Sequence, residues 1–171
     1  MKYSNEDDKC YGVTGMAFGL TIWNAEDAFT HITIDEDGLN CIAFTSDYYF
    51  SGNPAISAKE SWRVIFEHYR VIMGVLIANI MCRKLVLEHT GVDEALRKRM
   101  LELLLEEGKS SCQLEEDEIE SLFNKSFNYL AQLFSNSQIK RLSHDFAREL
   151  KASRVMTNHE VAEHLRLLKM L

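Results

Sequence analysis

The stretch V-I-M-G-V-L-I-A-N-I-M-C, residues 71–82, decides how the rest of the chain is arranged. Read as a helix, it is apolar on every side except at Asn79. It is too short to span a bilayer, and Glu67, His68, Arg70, Arg83 and Lys84 flank it with charge. A helix that is apolar all round must be buried all round. Either other elements of the same chain cover it, or a second subunit covers part of it.

Working outward, Ser57-Ala58-Lys59-Glu60 has the form of a capping box, a helix N-terminus signal. The helical pattern runs from there to Thr90, with Gly91 placed to stop it. That is about 50 Å at 1.5 Å per residue, and a kink near Gly74 is expected. Downstream, four amphipathic stretches show helical spacing at 92–107, 114–135, 138–151 and 158–170. Their stripes, such as Ile119, Phe123 and Phe134, supply apolar surface to surround the central helix. Gly108 is read as the end of the first.

Upstream, Pro54 is the only proline and closes a region with strand character. Met16, Phe18, Leu20 and Ile22 alternate with period two. Ala28, Thr30, Ile32 and Ile34 do the same after a turn at 24–27. Asp35-Glu36-Asp37-Gly38 is a second turn. L-N-C-I-A-F-T-S makes a third strand, which D-Y-Y-F extends or follows with a fourth. The expected fold is therefore α+β: an N-terminal antiparallel meander of three to four strands over 1–53, then a helical bundle over 54–171 around one long apolar helix, packed together as one domain.

The formal net charge is −7, which argues against broad binding to nucleic acid or anionic membranes. The charge is uneven, since residues 137–171 hold seven Lys+Arg against four Asp+Glu. Cys10, Cys41, Cys82 and Cys112 are scattered, with no C-x-x-C pair, and read as reduced thiols. The polar, acidic start M-K-Y-S-N-E-D-D lacks the apolar core of a signal peptide. A cytoplasmic location is expected.

Several constellations suggest chemistry and then fail on spacing. N-H-E-V-A-E-H-L (158–165) looks like a metal motif, but His159 and His164 are five apart. That is roughly 140° around a helix, where a zincin needs four. Thr157-Asn158-His159-Glu160 is instead a second capping box, with His159–Glu163 and Glu160–His164 as surface pairs. No glutamate has a histidine three residues later, as di-iron bundles require. Glycines 12, 15 and 19 match neither a dinucleotide fingerprint nor a P-loop and read as a glycine-spaced strand. No G-x-S-x-G elbow exists. Leu114–Glu118 lacks EF-hand spacing and suits a helix N-terminus. His31 and Asp35 share a strand face about 13 Å apart, too far for contact. No metal, cofactor or catalytic set is predicted.

The tail carries one resemblance. M-T-N-H-E-V-A-E-H-L follows a basic helix with Lys140, Arg141, Arg148, Lys151 and Arg154. It resembles the second helix of bacterial helix-turn-helix repressors, often T-x-x-E-[LV]-A-x-x-L. The resemblance covers about 30 residues and implies DNA binding. The sequence to Leu171 leaves no room for a following recognition helix, the element that would enter a major groove. A terminal helical hairpin packed on the bundle is expected instead.

The leading functional expectation is a protein-interaction or assembly protein without catalysis, homodimeric through residues 64–82. Val71, Val75, Asn79 and Cys82 are the candidate interface positions, and the partners are a second copy and an unidentified protein. A first alternative is a small-ligand protein or enzyme with a site between sheet and long helix, with His31, Tyr48, Tyr49, Glu67 and His68 as candidates. Aromatics Tyr48, Tyr49, Phe50, Trp23 and Trp62 would add a binding surface there. A second alternative is a DNA-associated regulator using the basic C-terminal helices.

Overall fold

The computed structural model describes residues 2–49 and 58–170. The first element is α1 (Glu6–Ile22), followed by a 3-10 turn (Glu26–Ala28) and β1 (Phe29–Thr33). A second 3-10 turn (Gly38–Cys41) leads to β2 (Ile42–Phe44) and the short α2 (Ser46–Tyr49). Then come α3 (Ala58–Met81), a π-helical turn (Cys82–Leu87), α4 (Glu94–Cys112), α5 (Glu116–Ser135) and α6 (Ser137–Ser153). The last elements are β3 (Val155–Thr157), α7 (Asn158–His164) and a 3-10 turn (Arg166–Met170). No described helix is long and apolar enough to cross a membrane.

The largest correction concerns residues 13–22, which are helix and not strand. Asn5 caps α1 by accepting the Asp8 N–H at 2.9 Å, and Glu6, Asp7 and Asp8 complement the N-terminal dipole. Every residue from Gly12 to Thr21 is buried. Glycines 12, 15 and 19 lie on one helical face, and that face meets α3. A Cβ on Gly15 would overlap the Ala78 carbonyl, and one on Gly19 would stand 2.9 Å from Val75 Cα. The two backbones approach through these missing side chains. Another face of α1 buries Phe18 against Phe134 (5.5 Å) and Phe146 (6.3 Å, edge to face). Such aromatic pairs are worth about 0.5–1.5 kcal/mol each beyond their area.

The sheet is a second correction. It is antiparallel and three-stranded, but its order is β2-β1-β3. The third strand comes from 155–157, and Ile32 pairs with both Ile42 and Met156. Strand and helix therefore do not divide near residue 53. The strand pattern also breaks: a bulge between Phe29 and His31 brings Phe29 and Ile32 both into the core and leaves Thr30 outside. D-Y-Y continues as α2 and not as strand.

The helices after the meander region fall close to their expected places. Pro54 and the Ser57 cap lie outside the described residues. Helix α3 continues through Gly74, which makes room for the Trp23 indole. The departure from α geometry comes later, at Cys82–Leu87, and His89 in left-handed backbone (φ 54°) ends it before Gly91. Gly108 lies inside α4, where a side chain would meet Ile119 and the Tyr69 hydroxyl at 2.7 Å.

Val71, Val75, Asn79 and Cys82 are all buried within the single chain. Much of the apolar surplus that suggested a subunit contact is covered by α1, so these four positions are not exposed on the single chain. Asn79 donates to the Tyr3 hydroxyl (3.0 Å), while its Oδ1 has no partner among the described residues. Beside it, Arg83 grips Asp8 with two hydrogen bonds, one at 2.7 Å, and stacks over the Tyr3 ring at 5.0 Å. Burial raises the Asp8 carboxyl, but Arg83 and the Ser4 N–H outweigh it and hold it below its ordinary value. Burial pushes the Tyr3 phenol up to about 12.

Candidate binding surface

Two concave surfaces flank the N-terminal half of α3. They are served by different faces of that helix. At 100° per residue, Trp62, Phe66, Arg70 and Met73 centre on a face roughly 100° from that of Ile65, His68, Tyr69 and Ile72.

The second of these faces forms a groove with α2 and α4, a cavity of about 340 Å3. Phe44, Tyr48 and His68 stack in series, at 4.2 Å and 4.1 Å between ring centres. The Tyr48 hydroxyl donates to the His68 carbonyl at 3.4 Å. From α4 come Glu107 and Ser111. Desolvation lowers the His68 pKa and raises that of Glu107, although the Glu107 residue as a whole is exposed. Among the described residues no hydrogen bond joins His68 to Glu107, and the groove presents no paired nucleophile and base.

The structure thus brings together two of the five expected ligand positions, Tyr48 and His68. Tyr49 lies in α2, and its side chain is outside the described residues. Glu67 turns away into an ion pair with Arg70 at 3.2 Å. His31 sits on β1, its Nδ1 3.1 Å from the Thr30 hydroxyl, and is not in the groove wall. Glu107 and Ser111 were not legible in advance, because the approach of α4 to α3 is set by Gly108 packing and not by a motif.

The other face carries an exposed ridge. Trp62 is 44% exposed, stacks parallel on Phe66 at 5.1 Å, and donates its indole N–H to the Cys112 carbonyl at 3.0 Å. Arg70 lies over Phe66 at 5.9 Å. Past Arg70 the ridge opens into a cavity of about 230 Å3 among Trp23, Met73, Leu122, Lys125, Ser126 and Tyr129. The Trp23 indole rests on Gly74 and meets the Tyr129 ring edge to face at 6.5 Å. Tyr129 is 50% exposed. Trp23 and Trp62, expected near Tyr48, belong to this side.

Three cations of the basic tail are held in surface ion pairs. Lys151 pairs with Asp7 at 2.7 Å, Arg154 bridges Glu6 and Asp35, and Arg148 pairs with Asp145. The helix of the repressor-like piece is short, ends at His164, and is preceded by β3, with Val161 and Leu165 buried. The capping box of Thr157 and Glu160 forms in both directions. No ion pair joins His159 to Glu163 or Glu160 to His164; the Glu160 carboxylate serves the cap and His164 packs edge-on to Phe146 at 5.9 Å. The four cysteines are free and buried. Comparison with protein-family models, with curated proteins and with solved structures finds no match for this chain.

Proposed function

We propose that this chain works by binding another protein through the ridge of Trp62, Phe66, Arg70 and Tyr129. The carrying observation is the composition and exposure of that ridge. Trp, Tyr and Arg are the residues that dominate binding energy at protein interfaces, and here they stand in one continuous row with a cavity at its end. The cavity is smaller than the roughly 300–1,000 Å3 of ordinary small-molecule sites, so it suits one anchoring side chain of a larger partner. The proposed setting is the cytoplasm. A second copy of the chain is one candidate partner, and a homodimer would use this ridge in place of the buried residues of 71–82.

A second reading has its own support. The convergence of Tyr48, His68 and Glu107, two of them with shifted pKa values, is the pattern of a small-ligand groove. The basic tail supports a DNA-associated role least, because Lys151, Arg154 and Arg148 are already paired.

The test is affinity capture from the native host with the wild-type chain, a Trp62→Ala/Tyr129→Ala variant and a His68→Ala variant. The ridge reading predicts that association, with another protein or a second copy, is lost only in the first variant. Retention in the ridge variant contradicts it, and loss only in His68→Ala favours the groove.

A further inference from the structure

The cavity at the end of the ridge has its own electrostatic character. Its floor is apolar and aromatic, from Trp23, Met73, Leu122 and Tyr129, while among the described residues its rim holds Arg70 and Lys125 and no carboxylate. This stands out in a chain with 26 acidic and 19 basic residues. After Glu120, the only charged side chain on α5 is Lys125. Lys125 is exposed and makes no ion pair among the described residues. Among the described residues the one ion-pair partner of Arg70 is Glu67, at 3.2 Å, with both side chains about half exposed. Such a pair is weak and is readily exchanged for an incoming carboxylate.

Resting on the protein-binding reading, we infer that the partner presents an acidic segment. A bulky apolar side chain of that segment enters the cavity lined by Trp23, Tyr129, Leu122 and Met73. A neighbouring Asp or Glu carboxylate lies against Arg70 and Lys125. A nucleic-acid backbone does not match this site, because it needs a run of cations at phosphate spacing and the rim supplies two. A basic segment is repelled by the same two groups.

The two tryptophans make a direct test possible by NMR on the full chain. The probes are the blocked peptides D-D-F-D-D, D-D-S-D-D and K-K-F-K-K and a short oligothymidine. The acidic phenylalanine peptide is expected to shift the Trp23 indole resonance saturably, and the serine and lysine peptides to bind about tenfold more weakly or worse. Lys125→Glu is expected to weaken the acidic peptide by about tenfold. The inference is overturned if the acidic peptide leaves Trp23 unmoved, if K-K-F-K-K binds as well, or if oligothymidine binds more tightly. Capture separates the two levels of the proposal. A partner lost in Trp62→Ala/Tyr129→Ala but kept in Arg70→Glu/Lys125→Glu overturns the acidic segment alone. A partner kept in both overturns the ridge reading as well.

Discussion

From Val71 to Met81, α3 packs so closely on α1 that glycines are required at the contact, whereas from Trp62 to Arg70 the same helix shows solvent a row of aromatic and cationic side chains. The first half excludes bulk and the second displays it. Close backbone approach leaves no slack, so change there is felt as lost stability. An exposed ridge contributes little to folding, and natural sequences rarely keep Trp and Tyr at the surface in a continuous row without a use. One helix thus anchors the fold with one end and offers a surface with the other.

The comparison can be broken first at its rigid end. Arg83→Leu strands Asp8 without its partner, and removing one member of a buried pair costs about 3–5 kcal/mol. Thermal unfolding of that variant should show a large drop; a melt like wild type would mean that the Asp8–Arg83 contact does not tie α1 to α3. Gly15→Ala forces a methyl into the Ala78 carbonyl and should cost about 1–3 kcal/mol. Gly91→Ala, with nothing within 4 Å of the new methyl, should stay within about 0.5 kcal/mol. Equal effects at the two glycines would remove the small-residue account of the α1–α3 contact.

The pH dependence sharpens the same contrast. The Asp8 carboxyl is depressed in the folded state, so its contribution is present above its ordinary value of 3.8 and is lost as pH falls through the lower folded value. Tyr3 is raised from 10.0 to about 12, so its contribution is present below pH 10 and is lost as pH climbs toward 12. Urea unfolding across both ranges should show the two losses, with the alkaline one reduced in Tyr3→Phe. The display end is expected to affect stability less than the Asp8–Arg83 pair does. Tyr129→Ala should cost about 1 kcal/mol, mainly the edge contact with Trp23, while removing association with the partner.

Much of the fold could be read from the chain. Helices α3 to α7 follow from apolar periodicity and capping residues, and the expected capping box that lies among the described residues, Thr157–Glu160, forms. Helix α1 was misread for a physical reason. A helix buried on all sides has no polar face, so Met16, Phe18, Leu20 and Ile22 satisfy a strand period equally well. The better signal was G-x-x-G-x-x-x-G at 12, 15 and 19, which places every glycine on one helical face. Strand β3 was invisible because its pairing with β1 spans most of the chain and three residues carry no period. At the surface, Trp62 and Trp23 drew attention as residues, but only the close seat of Trp23 on Gly74 and the register of α5 put Tyr129 and Lys125 beside them.

The most direct test of the divided helix is site-specific photo-crosslinking in the native host, with the reactive group placed in turn at positions 62, 129 and 149. Cross-links to one polypeptide from 62 and 129, and none from Glu149 on the exposed side of α6, are the predicted result. Cross-links absent at all three, or equally abundant at 149, would contradict the ridge as the surface this protein uses.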